Sequence, residues 1–175
     1  MEAPLDTVRR GIVALLPRLR RFALSLTGNQ SDADDLVQDA VERALRNLHR
    51  WQEGTRLDSW MFRLTQNLWI DTVRARSVRK AQALDTVEAG QASVDGVRVA
   101  EAQLAFADTN AALAKLPEEQ RVAVALVLVD GMSYRDAAET LGIPIGTLTS
   151  RLFRARAALA TALVGEAADP AEVLS

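Results

Sequence analysis

The chain of 175 residues contains no cysteine. That absence excludes disulfides, thiol nucleophiles and thiolate metal sites, and it is compatible with a reducing cytoplasm. Aromatic residues supply only 5% of the sequence, and much of the 49% hydrophobic content is alanine, a balance that favours close-packed helices over β-sandwiches. Long hydrophobic runs are also missing. The longest wholly apolar stretch, residues 122–129, is far too short to span a bilayer as a helix and suits a buried core segment. The first residues, MEAPLDTVRRGIVALLPRLRR, lack the uninterrupted apolar core and small-residue cleavage site of a signal peptide. No membrane insertion is expected, and the expected location is cytoplasmic.

The formal net charge of −2 argues against a nucleic-acid partner only until it is divided along the chain, because binding depends on local patches. Residues 1–80 carry +4 and residues 109–163 carry +1, whereas residues 81–108 carry −4 and residues 164–175 carry −3. The parts with helical patterning are mildly basic. An acidic connector and tail hide this; such segments are solvated and flexible, or else compete intramolecularly for a basic face.

This length accommodates one medium domain or two small ones, and the patterning favours two. The first is expected over residues 5–80. It would hold a helix at 5–26 ending near Gly28 and Asn29, and a second started by Ser31 with Asp34 and running to about His49. A loop at 51–58 containing Gly54 precedes a third helix at 59–76. Residues 81–96 have two glycines and little periodicity, and read as a linker. The second domain, residues 97–165, opens with an alanine-rich helix at 97–115, continues past Pro117 with a helix at 118–129, and ends in a helix-turn-helix. Residues 166–175 form an acidic tail. The expected architecture is all-α, two small helical domains joined by a flexible linker, the C-terminal one containing the helix-turn-helix.

That motif is GMSYRDAAETLGIPIGTLTSRLFRAR, residues 131–156. Ser133 with Asp136 has capping-box spacing, Ala137, Ala138 and Leu141 form a small apolar face, and Gly142 stands where a helix C-terminus favours positive φ. Ile143 and Pro144 carry the turn. Thr147 is expected to cap a second helix, on which Leu148, Leu152, Ala155 and Leu159 line one buried stripe. Thr149, Ser150, Arg151 and Arg154 lie on the opposite face, near the end that a recognition helix inserts into the major groove. The alternative is an ordinary helical hairpin with a solvated basic face.

Two other patterns carry charge. Asp35, Gln38, Asp39 and Glu42 follow i, i+3, i+4, i+7 spacing, so they form a polar stripe opposite Leu36, Val37, Ala40, Ala44 and Leu48. The stripe is either a docking face for a basic partner or a solvated face whose acids complement the helix dipole. Residues 51–80 interleave Trp51, Trp60, Phe62 and Trp69 with Arg56, Arg63, Arg74, Arg76, Arg79 and Lys80, with Asn67 among them. Unpaired bases stack on aromatic rings while arginines track phosphates; alternatively Trp60, Leu64, Leu68 and much of Trp69 are core, and the basic residues carry the signal.

DADDLVQDAVERAL at 32–45, followed by SWMFRLTQNLWIDTVRAR at 59–76, resembles conserved region 2 of the extracytoplasmic-function sigma factors of bacterial RNA polymerase. LPEEQRVAVALVLVDGMSYRDAAETLGIPIGTLTSRLFRARAAL at 116–159 resembles their region 4. The resemblance implies that Asp35, Gln38, Asp39 and Glu42 dock on the β′ clamp helices of core polymerase, which also offers its β subunit. It implies that Arg63, Asn67, Arg74 and Arg76 recognise and melt the minus-10 element, with the loop at 51–58 setting promoter preference. It further implies that Thr147, Thr149, Ser150, Arg151, Phe153 and Arg154 bind the minus-35 element as duplex. Thr149 departs from the pattern, since many members carry a basic residue there. An anti-sigma partner is implied as well, and neither metal, cofactor nor catalytic residue is expected. Two other readings compete: a stand-alone helix-turn-helix regulator, and an α-helical enzyme using the acids of residues 32–42 with His49. The second is poorly served by acids crowded on one stripe rather than converging from several helices.

Overall fold

The computed structural model describes residues 4–52, 54–83 and 109–165, and all regular structure among them is helical. α1 (Pro4–Thr27) ends where Gly28 adopts φ +78, and the Gly28 N–H donates to the Leu24 carbonyl at 2.8 Å. α2 (Gln30–Arg46) is capped by Asn29, whose side chain accepts from the Asp32 N–H at 2.8 Å. The cap is therefore two residues earlier than the expected Ser31: an asparagine directly after the turn glycine captures the free N–H groups first. α2 also stops at Arg46, and residues 48–50 form a short 3₁₀ turn instead of continuing the helix to His49. α3 (Leu57–Ala83) outruns the expected 59–76 at both ends. No glycine or proline stands between Leu57 and Ala83 to stop it, and it crosses the expected boundary at residue 80.

These three helices pack through Leu19, Phe22, Leu26, Val37, Ala44, Met61 and Phe62. Phe22 meets Phe62 edge to face at 5.0 Å between centroids, the arrangement ring quadrupoles favour. Trp69 is buried and Trp51 and Trp60 pack against the same cluster, so all three tryptophans serve the core rather than offering open stacking platforms.

The second domain begins, among the described residues, with a helical segment at 109–114, here α4. The rest of the expected helix at 97–108, most of the linker at 84–96 and the tail at 166–175 lie outside the described residues. α5 (Glu118–Val124) passes into a π turn (Ala125–Val129), not a uniform α-helix to residue 129. The wide turn lets the Asp130 N–H reach the Ala125 carbonyl and the Met132 N–H reach the Leu126 carbonyl, each at 2.9 Å. α6 (Tyr134–Leu141) and α7 (Ile145–Gly165) complete the fold. The apolar cluster is continuous through both domains, with α1 meeting the π turn and α3 meeting α6.

Candidate nucleic-acid interface

The helix-turn-helix is built from local signals. The Ser133 hydroxyl accepts from the Asp136 N–H at 3.1 Å, and Gly142 takes φ +66, its N–H reaching the Glu139 carbonyl while Ile143 reaches Ala138. This closes α6 with a left-handed cap. Ala137, Ala138, Leu148, Leu152 and Ala155 are buried between α6, α7 and α5. Thr147 does not cap α7. The helix starts two residues earlier, and the Pro144 carbonyl accepts from both Thr147 and Leu148 N–H groups, so Thr147 lies within the first turn. A proline with its fixed φ opens a helix without needing a threonine cap.

On the outward side of α7, Phe153 is 74% exposed and Arg154 is exposed. The Thr149 hydroxyl donates to the Ile145 carbonyl and the Ser150 hydroxyl to the Thr147 carbonyl, local bonds that leave each oxygen a free acceptor site. Arg151 is half-buried and pairs with Glu119 of α5 at 2.9 Å. Its guanidinium reaches back to α5 instead of standing clear of the helix.

On α3, Arg63, Asn67 and Arg74 fall on one stripe by their i, i+4, i+11 spacing. Asn67 and Arg74 line an open cavity of about 360 Å³ together with Arg43 and Asp71. Arg43 belongs to none of the sequence patterns above, and only the packing of α2 on α3 brings it beside Asn67. Arg76 stands apart: it faces α2, where it pairs with Asp32 at 3.4 Å. Arg63 is engaged across the domain boundary, donating to the Thr140 carbonyl at 2.8 Å and the Glu139 carbonyl at 3.1 Å.

The acidic stripe on α2 is open throughout, with Asp35, Gln38, Asp39 and Glu42 all exposed. Gln38 donates to Glu42 at 3.4 Å, and Arg46 pairs with Glu42 at 3.3 Å. Asp35 and Asp39 rim a second cavity of about 200 Å³ that also holds Trp69, Arg76 and Arg121.

Several further polar contacts join the domains. Asp130, whose side chain is 1% exposed, accepts from Arg18 Nε at 3.0 Å and Nη2 at 2.7 Å. The Arg18 guanidinium also lies 5.2 Å from the Phe62 ring centre and 3.6 Å from Asp58. Hydrogen bonding to Asp130 raises the Arg18 pKa above its usual value. Arg56 holds Asp58 through two N–H groups and pairs with Asp136 of α6. Bonding to Arg56 holds the Asp58 carboxyl below its usual range. Arg121 of α5 donates to the Leu26 carbonyl at 3.0 Å and lies over the Trp69 ring at 5.4 Å; burial lowers its pKa. Among the described residues no cluster of histidine and acidic side chains is placed to hold a metal, and no helix is long and apolar enough to cross a membrane.

Comparison with known proteins matches two segments of the chain to known families. Residues 12–79 match the Sigma-70 region 2 family and residues 108–159 match Sigma-70, region 4. The ECF RNA polymerase sigma factor EcfG of Rhodopseudomonas palustris is 40% identical over 164 residues, covering 94% of this chain and 89% of that protein. The sigma factor RpoE of Bartonella quintana, solved with the anti-sigma factor NepR, superposes with a TM-score of 0.73 at 34% identity, over 89% of this chain and 95% of that one. CnrH, solved with the cytosolic domain of CnrY, gives a TM-score of 0.69 at 25% identity, over 91% and 89%.

Proposed function

The chain belongs to the extracytoplasmic-function RNA polymerase sigma factors, and on that premise we propose how its surfaces divide the work of directing polymerase to specific promoters. Asp35, Gln38, Asp39 and Glu42 dock on the β′ clamp helices of core polymerase, presenting acids to a basic partner. Arg63, Asn67, Arg74 and Arg76 of α3 recognise the minus-10 element and trap its melted strand. Contacts made only to the unpaired strand favour the open state over the duplex, which equal binding to both could not do. Thr147, Thr149, Ser150, Arg151, Phe153 and Arg154 read the minus-35 element as duplex; there Arg pairs bidentately with guanine, and Phe packs against a thymine methyl.

The domains divide at residues 5–80 and 97–165, with the end of α3 carrying residues 81–83 into the linker at 81–96, and with 166–175 as tail. Linking two weak DNA contacts raises their combined affinity without new contacts. The protein contributes no chemistry of its own, acts in the cytoplasm, and is held in reserve by an anti-sigma factor until an environmental or envelope stress releases it. The observation that carries the reading is the presence of an exposed acidic stripe, an arginine-asparagine stripe and a helix-turn-helix in one chain, in the order of regions 2 and 4. Arg151→Ala and Asn67→Ala test it in transcription with purified core polymerase. The first should lose dependence on the minus-35 sequence and the second should lose open complex, both with unchanged core binding. Equal loss of core binding in either variant would contradict the roles.

A further inference from the structure

Of the three arginines of α7, Arg151 alone is paired with a carboxylate among the described residues. Its Nη2 lies 2.9 Å from Glu119 Oε2; the Arg151 side chain is 21% exposed and that of Glu119 is 70% exposed. Position 151 explains why this arginine differs from its neighbours. It comes three residues after buried Leu148 and four before buried Ala155, at the edge of the stripe that packs α7 on α5. The packing therefore half-covers its side chain, and Glu119, in the first turn of α5, meets its charged end. Arg154 and Arg156 stand exposed, Arg156 reaching only the Tyr134 hydroxyl at 3.4 Å. Glu119 and Arg151 both fall within the segment that matches region 4, so the pair needs no contact between the two domains.

We propose that Glu119 is a positioning residue for minus-35 recognition: its carboxylate fixes the Arg151 guanidinium at the groove-facing edge of α7 without itself touching DNA. The inference rests on the reading of Arg151 as a minus-35 contact. A guanidinium carries five N–H donors in one plane, and a guanine edge takes two of them. Glu119 engages one nitrogen, so the same group can serve both partners at once. A long side chain held by packing on one side and by a carboxylate on the other gives up less rotamer freedom on reaching a base. The competing role for Glu119 is to complement the positive end of α5, which Glu118 fills equally well. The two roles separate cleanly, because an effect on the helix dipole does not depend on residue 151.

The test uses the full-length chain with core polymerase, in run-off transcription from a promoter on which the wild type initiates. Each base pair of its minus-35 element is substituted in turn, and the ratio of product from parent and substituted templates gives the discrimination at that position. Wild type, Arg151→Ala, Glu119→Ala and the double variant are compared. Glu119 is exposed and alanine suits a helix, so the fold is kept. Arg151→Ala marks the positions that Arg151 reads. At those positions Glu119→Ala should lower the ratio about threefold, within the range of an exposed ion pair. It should leave the other positions and core binding unchanged, and add nothing where residue 151 is already alanine. An unchanged ratio at the marked positions, an equal fall at every position, loss of core binding, or a further fall in the double variant would each overturn the proposal. If Arg151→Ala alters no position, the minus-35 assignment of Arg151 falls and the proposal with it. An effect of Arg151→Ala with none of Glu119→Ala removes the proposal alone.

Discussion

Replacing Asp130 by asparagine removes the charge from the most buried ion pair between the domains. An exposed ion pair contributes ~0–1 kcal/mol, whereas removing one partner of a buried pair costs ~3–5 kcal/mol. Here Asp130 is 1% exposed but Arg18 is 34% exposed, and Arg18 retains Asp58 at 3.6 Å and the Phe62 ring. Asparagine also keeps one acceptor oxygen. The cost therefore falls between the two limits, at ~2 kcal/mol. For a chain of this size each kcal/mol shifts the melting temperature by ~2–4 °C, so Asp130→Asn should melt roughly 4–8 °C below the wild type by circular dichroism. Arg18→Gln loses the aromatic contact as well, which makes the coupling energy of the Arg18/Asp130 double-mutant cycle the cleaner quantity. A coupling below ~0.5 kcal/mol, typical of independent sites, would refute the claim that this pair joins the domains.

Further outcomes follow from the same contacts. Asp58 has a folded pKa lowered from 3.8, chiefly by hydrogen bonding to Arg56; a depressed carboxylate stabilises the fold above its unfolded pKa and loses that contribution as pH falls through the folded value. Thermal stability should therefore decline on acidification below about pH 4, and Asp58→Asn should flatten that decline; an unaltered acid profile would remove Asp58 from the account. Gly142→Ala forces φ +66 on a residue with a Cβ and sets that atom against Arg63, costing ~1–2 kcal/mol for the left-handed conformation. Urea unfolding within experimental error of the wild type would contradict the cap. Asp39→Arg reverses an exposed charge on α2, and should weaken core-polymerase binding about tenfold, or ~1.4 kcal/mol, without changing the melting temperature; unchanged affinity would free the stripe from its docking role.

What the sequence made legible was local. Ser133, Gly142 and the Leu148, Leu152, Ala155 stripe occupy the expected places, because a cap and a buried stripe are decided within one or two turns of helix. The errors were local competitions won by a neighbour: Asn29 over Ser31 as a cap, and Pro144 over Thr147 as the start of α7. The end of α3 was illegible because residues 77–83 lack both an apolar stripe and a breaker. Asp136 shows the limit most plainly. Capping-box spacing assigned its carboxylate to Ser133, but Arg56, which no pattern near α6 announces, takes it instead. Arg18 and Asp130 are separated by 112 positions, so periodicity carries no information about their meeting. The same holds for Arg63, whose basic character was plain but whose acceptors on α6 were not.

The central claim is that this chain confers promoter recognition on core polymerase. Run-off transcription from a library of genomic promoter fragments, with purified core polymerase and the wild-type chain, measures it directly. The account predicts discrete transcripts that require the chain, arise from a subset of fragments sharing two spaced elements, and are absent with core alone. No chain-dependent transcript from any fragment, under conditions where another sigma factor supports initiation with the same core, would contradict it.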